Sequence, residues 1–186
     1  MTDNLAALTA TQLSDLYASG EASPVDVTRA VLDQIETHNP TLNCFCLVDA
    51  DSALATARES EVRWQKGEPL SAIDGIPASI KDLTLTKGWP TMRGSRTSNP
   101  DAPQDEDAPA TARLREAGAV LTGKTTTPEF GWKGVTDNPL TGITRNPWNP
   151  ERTPGGSSGG ASSACASFMG PLHQGSDAAG SIRIPA

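Results

Sequence analysis

The chain is poor in the side chains that most often carry chemistry. Its 186 residues include two histidines, His38 and His173, and three cysteines, Cys44, Cys46 and Cys165. The histidines lie far apart without ligand spacing, which argues against a metal site. Three cysteines cannot all pair within one chain. Cys44 and Cys46 stand two apart in the apolar run Asn43–Val48, so on a strand both face one side and read as core thiols. Cys165, among alanines and serines, reads as helix packing. Net charge is −7, with acids and bases dispersed, so the basic stripe of a nucleic-acid binder is missing. No apolar run approaches the roughly 20 residues that span a bilayer, and the first residues lack a basic segment followed by an apolar one. The expectation is a cytoplasmic protein with no membrane or direct nucleic-acid partner.

What is present is punctuation. Thr9 or Thr11 is placed to cap a short helix ending near Gly20. Ser23-Pro24-Val25-Asp26 is a stronger start signal, with Ser at the cap, Pro in the first turn and an acid at the third position. Val27, Val31 and Ile35 then repeat every four residues on a helix expected to stop before Asn39-Pro40. His38, at that helix's end, reads as solvated or carbonyl-capping. Residues 43–49 read as a strand and 51–66 as a helix. The segment Gly75–Asp82 has the apolar character of a strand but ends on Lys81. Residues 89–108 form a long polar connection, either a mobile lid or one packed down. A helix at 109–117 runs into a strand at 119–123, and this alternation points to an α/β fold with helices on both faces of a sheet. Residues 1–66 read as a mainly helical lead-in and 67–186 as the start of the core. Residues 125–154 turn loop-like, followed by an Ala/Ser helix at 159–169 and a short strand near 171–175.

Two serine-bearing glycine runs dominate the second half: Pro154-Gly155-Gly156-Ser157-Ser158-Gly159-Gly160, and Gly175-Ser176-Asp177-Ala178-Ala179-Gly180-Ser181-Ile182-Arg183-Ile184-Pro185. Serines on tight, N–H-presenting turns suit an anion cradle or a nucleophile with its oxyanion hole. The phosphate-binding patterns GxxxxGK[ST] and GxGxxG after a strand are missing. A Ser-His-Asp triad would have to use His173, which falls in an expected strand. A Ser–Lys arrangement fits better. Lysine acts as a base only when burial or a nearby cation lowers its pKa, and Lys81 is the one lysine that the pattern places in an apolar setting. Taken alone, a strand-end lysine reads as a snorkelling surface residue.

The Lys81 segment and the two serine turns together resemble the amidase signature family, in order, spacing and local sequence. Asp74-Gly-Ile-Pro77 and Gly118-Ala-Val-Leu-Thr-Gly-Lys124 add to the resemblance, which covers the whole chain. It implies a mixed sheet flanked by helices and a Ser–cis-Ser–Lys triad. Ser181 resembles the nucleophile, Ser157 the bridging serine after a cis peptide bond, and Lys81 the base. It further implies an oxyanion hole of Ala178, Ala179, Gly180 and Ser181 backbone N–H groups, with Ser158, Asp177 and Arg183 supporting the turns by hydrogen bonds and an ion pair. Its chemistry needs no metal or cofactor, takes a small-molecule amide, and leaves room for a homodimer.

Three features depart from the family's pattern. Ala179 stands where glycine is usual, which would strain the hole if that residue takes positive φ. His173 and Gln174 replace apolar strand residues and need polar partners if buried. Members are more than twice this length, so the chain reads as an amino-terminal part of an amidase. Its rivals are the glutaminase subunit of a glutamyl-tRNA amidotransferase, which typically carries glutamine where this chain has Ile184, and a truncated, non-catalytic fragment.

Overall fold

Helices form where caps and apolar periodicity coincide. The computed structural model describes residues 4–102 and 104–186. Helix α1 (Ala10–Ser19) begins with a reciprocal cap between Thr9 and Gln12 and ends at Gly20, φ +75°. Helix α2 (Pro24–Leu42) begins with the same device between Ser23 and Asp26, and buries Val27, Val31 and Ile35. It does not stop before Asn39-Pro40 as expected but runs to Leu42 and ends at Asn43 in the left-handed region. Pro40 lies inside the helix and lacks the N–H that would reach the Glu36 carbonyl, so the last turn continues with that one hydrogen bond missing. Asn39 makes that end a junction, its Oδ1 accepting from the Cys44 and Phe45 N–H groups at 2.7 Å each. His38 therefore lies inside the helix, half-buried, with Nε2 3.1 Å from Gln34 Oε1.

The remaining elements alternate. Strand β1 (Phe45–Val48) leads to α3 (Ala50–Gln65), then β2 (Pro77–Lys81), α4 (Pro109–Glu116) and β3 (Val120–Thr125). A small hairpin, β4 (Asp137–Asn138) with β5 (Gly142–Ile143), precedes α5 (Gly159–Ala166) and β6 (Leu172–His173). The main sheet has the order β1-β3-β2-β6, with β2 parallel to both neighbours and β1 antiparallel to β3. Central β2 and β3 are buried along their whole length, as strands covered on both faces must be. Leu114 of α4 and Trp89 pack with Ala78, Ile80 and Leu121. Val31 and Ile35 of α2 meet Phe45 of β1 and Ala164 of α5 in a separate cluster.

Two thiol expectations need correction. Cys44 is buried, but Cys46 is exposed because β1 is irregular between Phe45 and Leu47, which breaks the alternation that would have faced both inward. Cys165 lies on the open side of α5 and is exposed, not packed. The connection after residue 89 is packed down as far as Ser95, and from Arg96 to Ala108 its described residues are exposed or half-buried. Trp89 is buried and donates its indole N–H to Asp49 Oδ2 at 2.8 Å, and the Ser95 hydroxyl donates to Glu129 Oε1 at 2.7 Å.

Candidate active site

Strand β2 delivers Lys81 to the centre of the site. Side chains alternate along a strand, so Ser79 and Lys81 leave one face while Ile80 and, just past the strand end, Asp82 leave the other. Lys81 is fully buried, and its Nζ donates to three hydroxyls: Ser157 Oγ at 2.7 Å, Ser158 Oγ at 2.8 Å and Ser176 Oγ at 3.0 Å. No carboxylate touches it among the described residues. Burial pushes its ammonium down to about 8, and the charge of Asp177 works in the opposite direction. The snorkelling reading of Lys81 does not hold.

The serines come from two turns. The peptide between Gly156 and Ser157 is cis, and Ser157 and Ser158 are buried. Ser158 stands at the N-cap of α5, yet its hydroxyl does not cap the helix. That hydroxyl accepts from Lys81 and from the Ser176 N–H and donates to the Ser176 carbonyl, the last two at 3.3 Å. Capping by a serine stabilises a helix by about 1 kcal/mol, so its diversion marks a competing role. Thr136 Oγ1 takes over, accepting from the Gly159 N–H at 3.2 Å.

The second turn is organised by Asp177. Its carboxylate accepts from the Gly180, Ile182 and Arg183 N–H groups and is bound through two contacts by the Arg183 guanidinium, at 3.1 and 2.8 Å. The Arg183 side chain beside it, with those N–H donors, holds Asp177 well below the usual carboxylate range. The turn reaches the first one through its backbone, the Ser158 N–H donating to the Ser181 carbonyl at 3.0 Å. Ser181 is half-buried, and its hydroxyl makes no hydrogen bond to the described residues, Ser157 included. The N–H groups of Ala178, Ala179 and Ser181 have no partner among the described residues. The expected fourth donor, Gly180, differs because its N–H is held by Asp177. The residue with positive φ in this turn is Gly180, at +105°, and not Ala179, so the anticipated strain at Ala179 is not there.

The polar strand residues find partners. His173 Nδ1 lies 2.7 Å from Ser79 Oγ and Nε2 is 3.0 Å from the Gly170 carbonyl, so Nε2 carries the proton and Nδ1 accepts from Ser79. Burial pushes this imidazole down to about 4. Gln174 Oε1 accepts from the Lys81 backbone N–H and from Thr84 Oγ1, tying β6 to the end of β2.

Sequence reasoning missed two groups. Ser176 sits inside the quoted turn, but nothing in its local pattern distinguishes it from its neighbours. Lys124 is as buried as Lys81, so Lys81 is not alone in an apolar setting. Lys124 pairs in register with Ile80, which sends it to the opposite face of the sheet. There it meets Asp82 Oδ1 at 3.3 Å, Thr91 Oγ1 at 2.6 Å and the Thr84 and Pro90 carbonyls. Burial pushes the Asp82 carboxyl up and the Lys124 ammonium down, each charge resisting the other's shift. The signal was available: Ala119–Gly123 is a second mostly apolar run followed directly by a lysine.

The geometry agrees with comparison to known proteins. The family model described as Amidase matches residues 26–186, and the chain belongs to that family. It is 44% identical over 178 residues to the glutamyl-tRNA(Gln) amidotransferase A subunit of Acidothermus cellulolyticus, covering 96% of this chain and 35% of that one. The Mycobacterium tuberculosis protein of the same name is 46% identical over 187 residues, covering 100% and 37%. The chain thus spans little more than a third of the length of these relatives. Among solved structures, a bacterial aryl acylamidase of the amidase signature family superposes with a TM-score of 0.91 at 34% identity, over 96% of this chain and 37% of that one. Fatty acid amide hydrolase superposes with a TM-score of 0.93 at 29% identity, over 100% and 33%. Among the described residues no helix is long and apolar enough to cross a membrane, and no cluster of histidine, cysteine or carboxylate side chains suits a metal ion.

Proposed function

We propose that the chain carries the catalytic centre of an amidase that cleaves a carboxamide C–N bond through an acyl-enzyme on Ser181. One observation carries the reading: a fully buried lysine amine, free of carboxylate contact, 2.7 Å from the hydroxyl of Ser157. Lys81 in its neutral form takes the Ser157 proton, Ser157 takes that of Ser181, and Ser181 Oγ bonds to the amide carbon. Charge then gathers on the carbonyl oxygen, where the unpaired N–H groups of Ala178, Ala179 and Ser181 are the donors, each worth about 2.7–4 kcal/mol. When the C–N bond breaks, the same protons return through Ser157 to the departing amine. Water repeats the sequence on the ester and releases the acid. Ser158 fixes the amine, while Asp177 and Arg183 hold the N–H-bearing turn in shape. The test is amide hydrolysis by the wild-type protein against Ser181→Ala. Loss of turnover with mass-detected loss of the acyl adduct is expected, and an equally active variant refutes the assignment.

A second reading specifies the amide. The 44–46% identity to amidotransferase A subunits favours glutamine as substrate, with ammonia passed to a partner enzyme. Ile184, where such subunits typically carry glutamine, favours a stand-alone amidase. Glutamine hydrolysis stimulated by partner subunits and a charged tRNA would decide for the second reading.

A further inference from the structure

Lys81 is held by three hydroxyls, and the proposed relay uses only one of them. A neutral amine has two N–H groups and one lone pair, so a base with three oxygen neighbours must give N–H to two and turn its lone pair to the third. Ser158 is fixed as an acceptor, since its own proton goes to the Ser176 carbonyl. The second acceptor is either Ser157 or Ser176. Ser157 has to present its proton to the lone pair if the relay is to run, which leaves Ser176 Oγ, at 3.0 Å, to take the other N–H. The Ser176 oxygen has no other side-chain or backbone donor among the described residues. Its main chain is anchored independently, through N–H and carbonyl contacts with Ser158.

We infer that Ser176 is a positioning residue whose hydroxyl, together with that of Ser158, turns the Lys81 lone pair toward Ser157. The inference rests on the amidase reading for its catalytic meaning, but the contact itself stands on geometry. After proton transfer the ammonium donates to all three hydroxyls, so the loss of Ser176 Oγ weakens the charged form more than the neutral one, charged donors making the stronger bonds. Removing it therefore lowers the proton affinity of Lys81. The other groups around the amine leave this titration clear. Asp177 faces it from the same turn, bound to Arg183. The loop before α5 contributes the Ser157 and Ser158 hydroxyls. On the far side of β2, Asp82 and Lys124 answer each other, and His173 on β6 is bonded to Ser79 and neutral over the range that matters.

The experiment is an NMR titration of the Lys81 Cε and Nζ signals in the 186-residue chain, with Lys81→Met identifying the resonance. Ser176→Ala is expected to move the midpoint down by about half a unit to one unit, and Ser176→Thr, which keeps the hydroxyl, to leave it in place. Ser176→Cys, similar in size but a poor acceptor, is expected to follow the alanine variant and stands in for it should alanine disturb the fold. A midpoint that stays put or rises in every folded variant lacking the hydroxyl overturns the inference. In amide turnover, Ser176→Ala is expected to lower kcat by about tenfold with KM unchanged, and Ser176→Thr to restore it. A purely structural role would leave the lysine midpoint unmoved. Full activity in Ser181→Ala would sink the amidase reading instead, while the titration would still decide on the contact.

Discussion

At the scale of single residues, the two buried lysines differ in their partners rather than in their burial. Both have no exposed surface, yet Lys124 answers to Asp82 whereas Lys81 meets only hydroxyls. A carboxylate partner stabilises the ammonium and works against proton loss, and hydroxyls do so far less. In the proposed relay Lys81 acts in its neutral form, and burial lowers its pKa from 10.5 to about 8. Amide turnover is therefore expected to climb as pH rises through about 8 and to level above it, read from kcat/KM against pH. Lys81→Met is expected to lower turnover by about 10²–10⁴-fold without changing the far-ultraviolet spectrum. A rate that falls across that limb would contradict a neutral-amine base.

Elements position these residues by close approach and by register. The N-terminal turn of α5 lies so near the sheet that a Cβ at Gly160 would stand 2.5 Å from the Thr126 N and 2.6 Å from the Cys44 carbonyl oxygen. Gly160→Ala is expected to cost about 1–3 kcal/mol by urea unfolding, because both neighbours are backbone and neither can swing away. The Lys124–Asp82 pair fixes the segment from Thr84 to Pro90 against β3, on the back of the strand that carries Lys81. Lys124→Met leaves a buried carboxylate alone and is expected to cost about 3–5 kcal/mol, most of it recovered in the double variant Lys124→Met with Asp82→Leu. Equal losses in the single and double variants would show that the ion pair was not the cause. Of these elements, the strands and caps could be read from the sequence. The end of α2 could not, because Asn39 closes it through contacts to β1 that a local proline rule does not contain.

Over the whole molecule, one side stays open. A cleft of about 800 Å³ runs beside the serine turns, lined among others by Trp148, Pro154, Cys165, Leu172, Ile182 and Ile184. Trp148 is 86% exposed and Ile184 53%. Exposed apolar surface is thus gathered in one place. The 186-residue chain is expected to enhance the fluorescence of an apolar-surface dye, and Ile182→Ser with Ile184→Ser to reduce it while the melting curve is kept. An unchanged signal would place the dye elsewhere.

The sequence by itself determined the helix starts, because caps and apolar periodicity are local and leave a short-range mark, and it carried the resemblance to the amidase signature family from which Lys81, Ser157 and Ser181 follow as candidates. The same resemblance implied the Asp177–Arg183 ion pair, which joins residues six apart on one turn. Only the tertiary structure decided which hydroxyls surround the Lys81 amine and that Lys124 meets Asp82 on the face of the sheet opposite Lys81. These contacts join residues up to 95 positions apart. Their energies depend on desolvation, register and the direction of a single N–H, and none of these has a local signature.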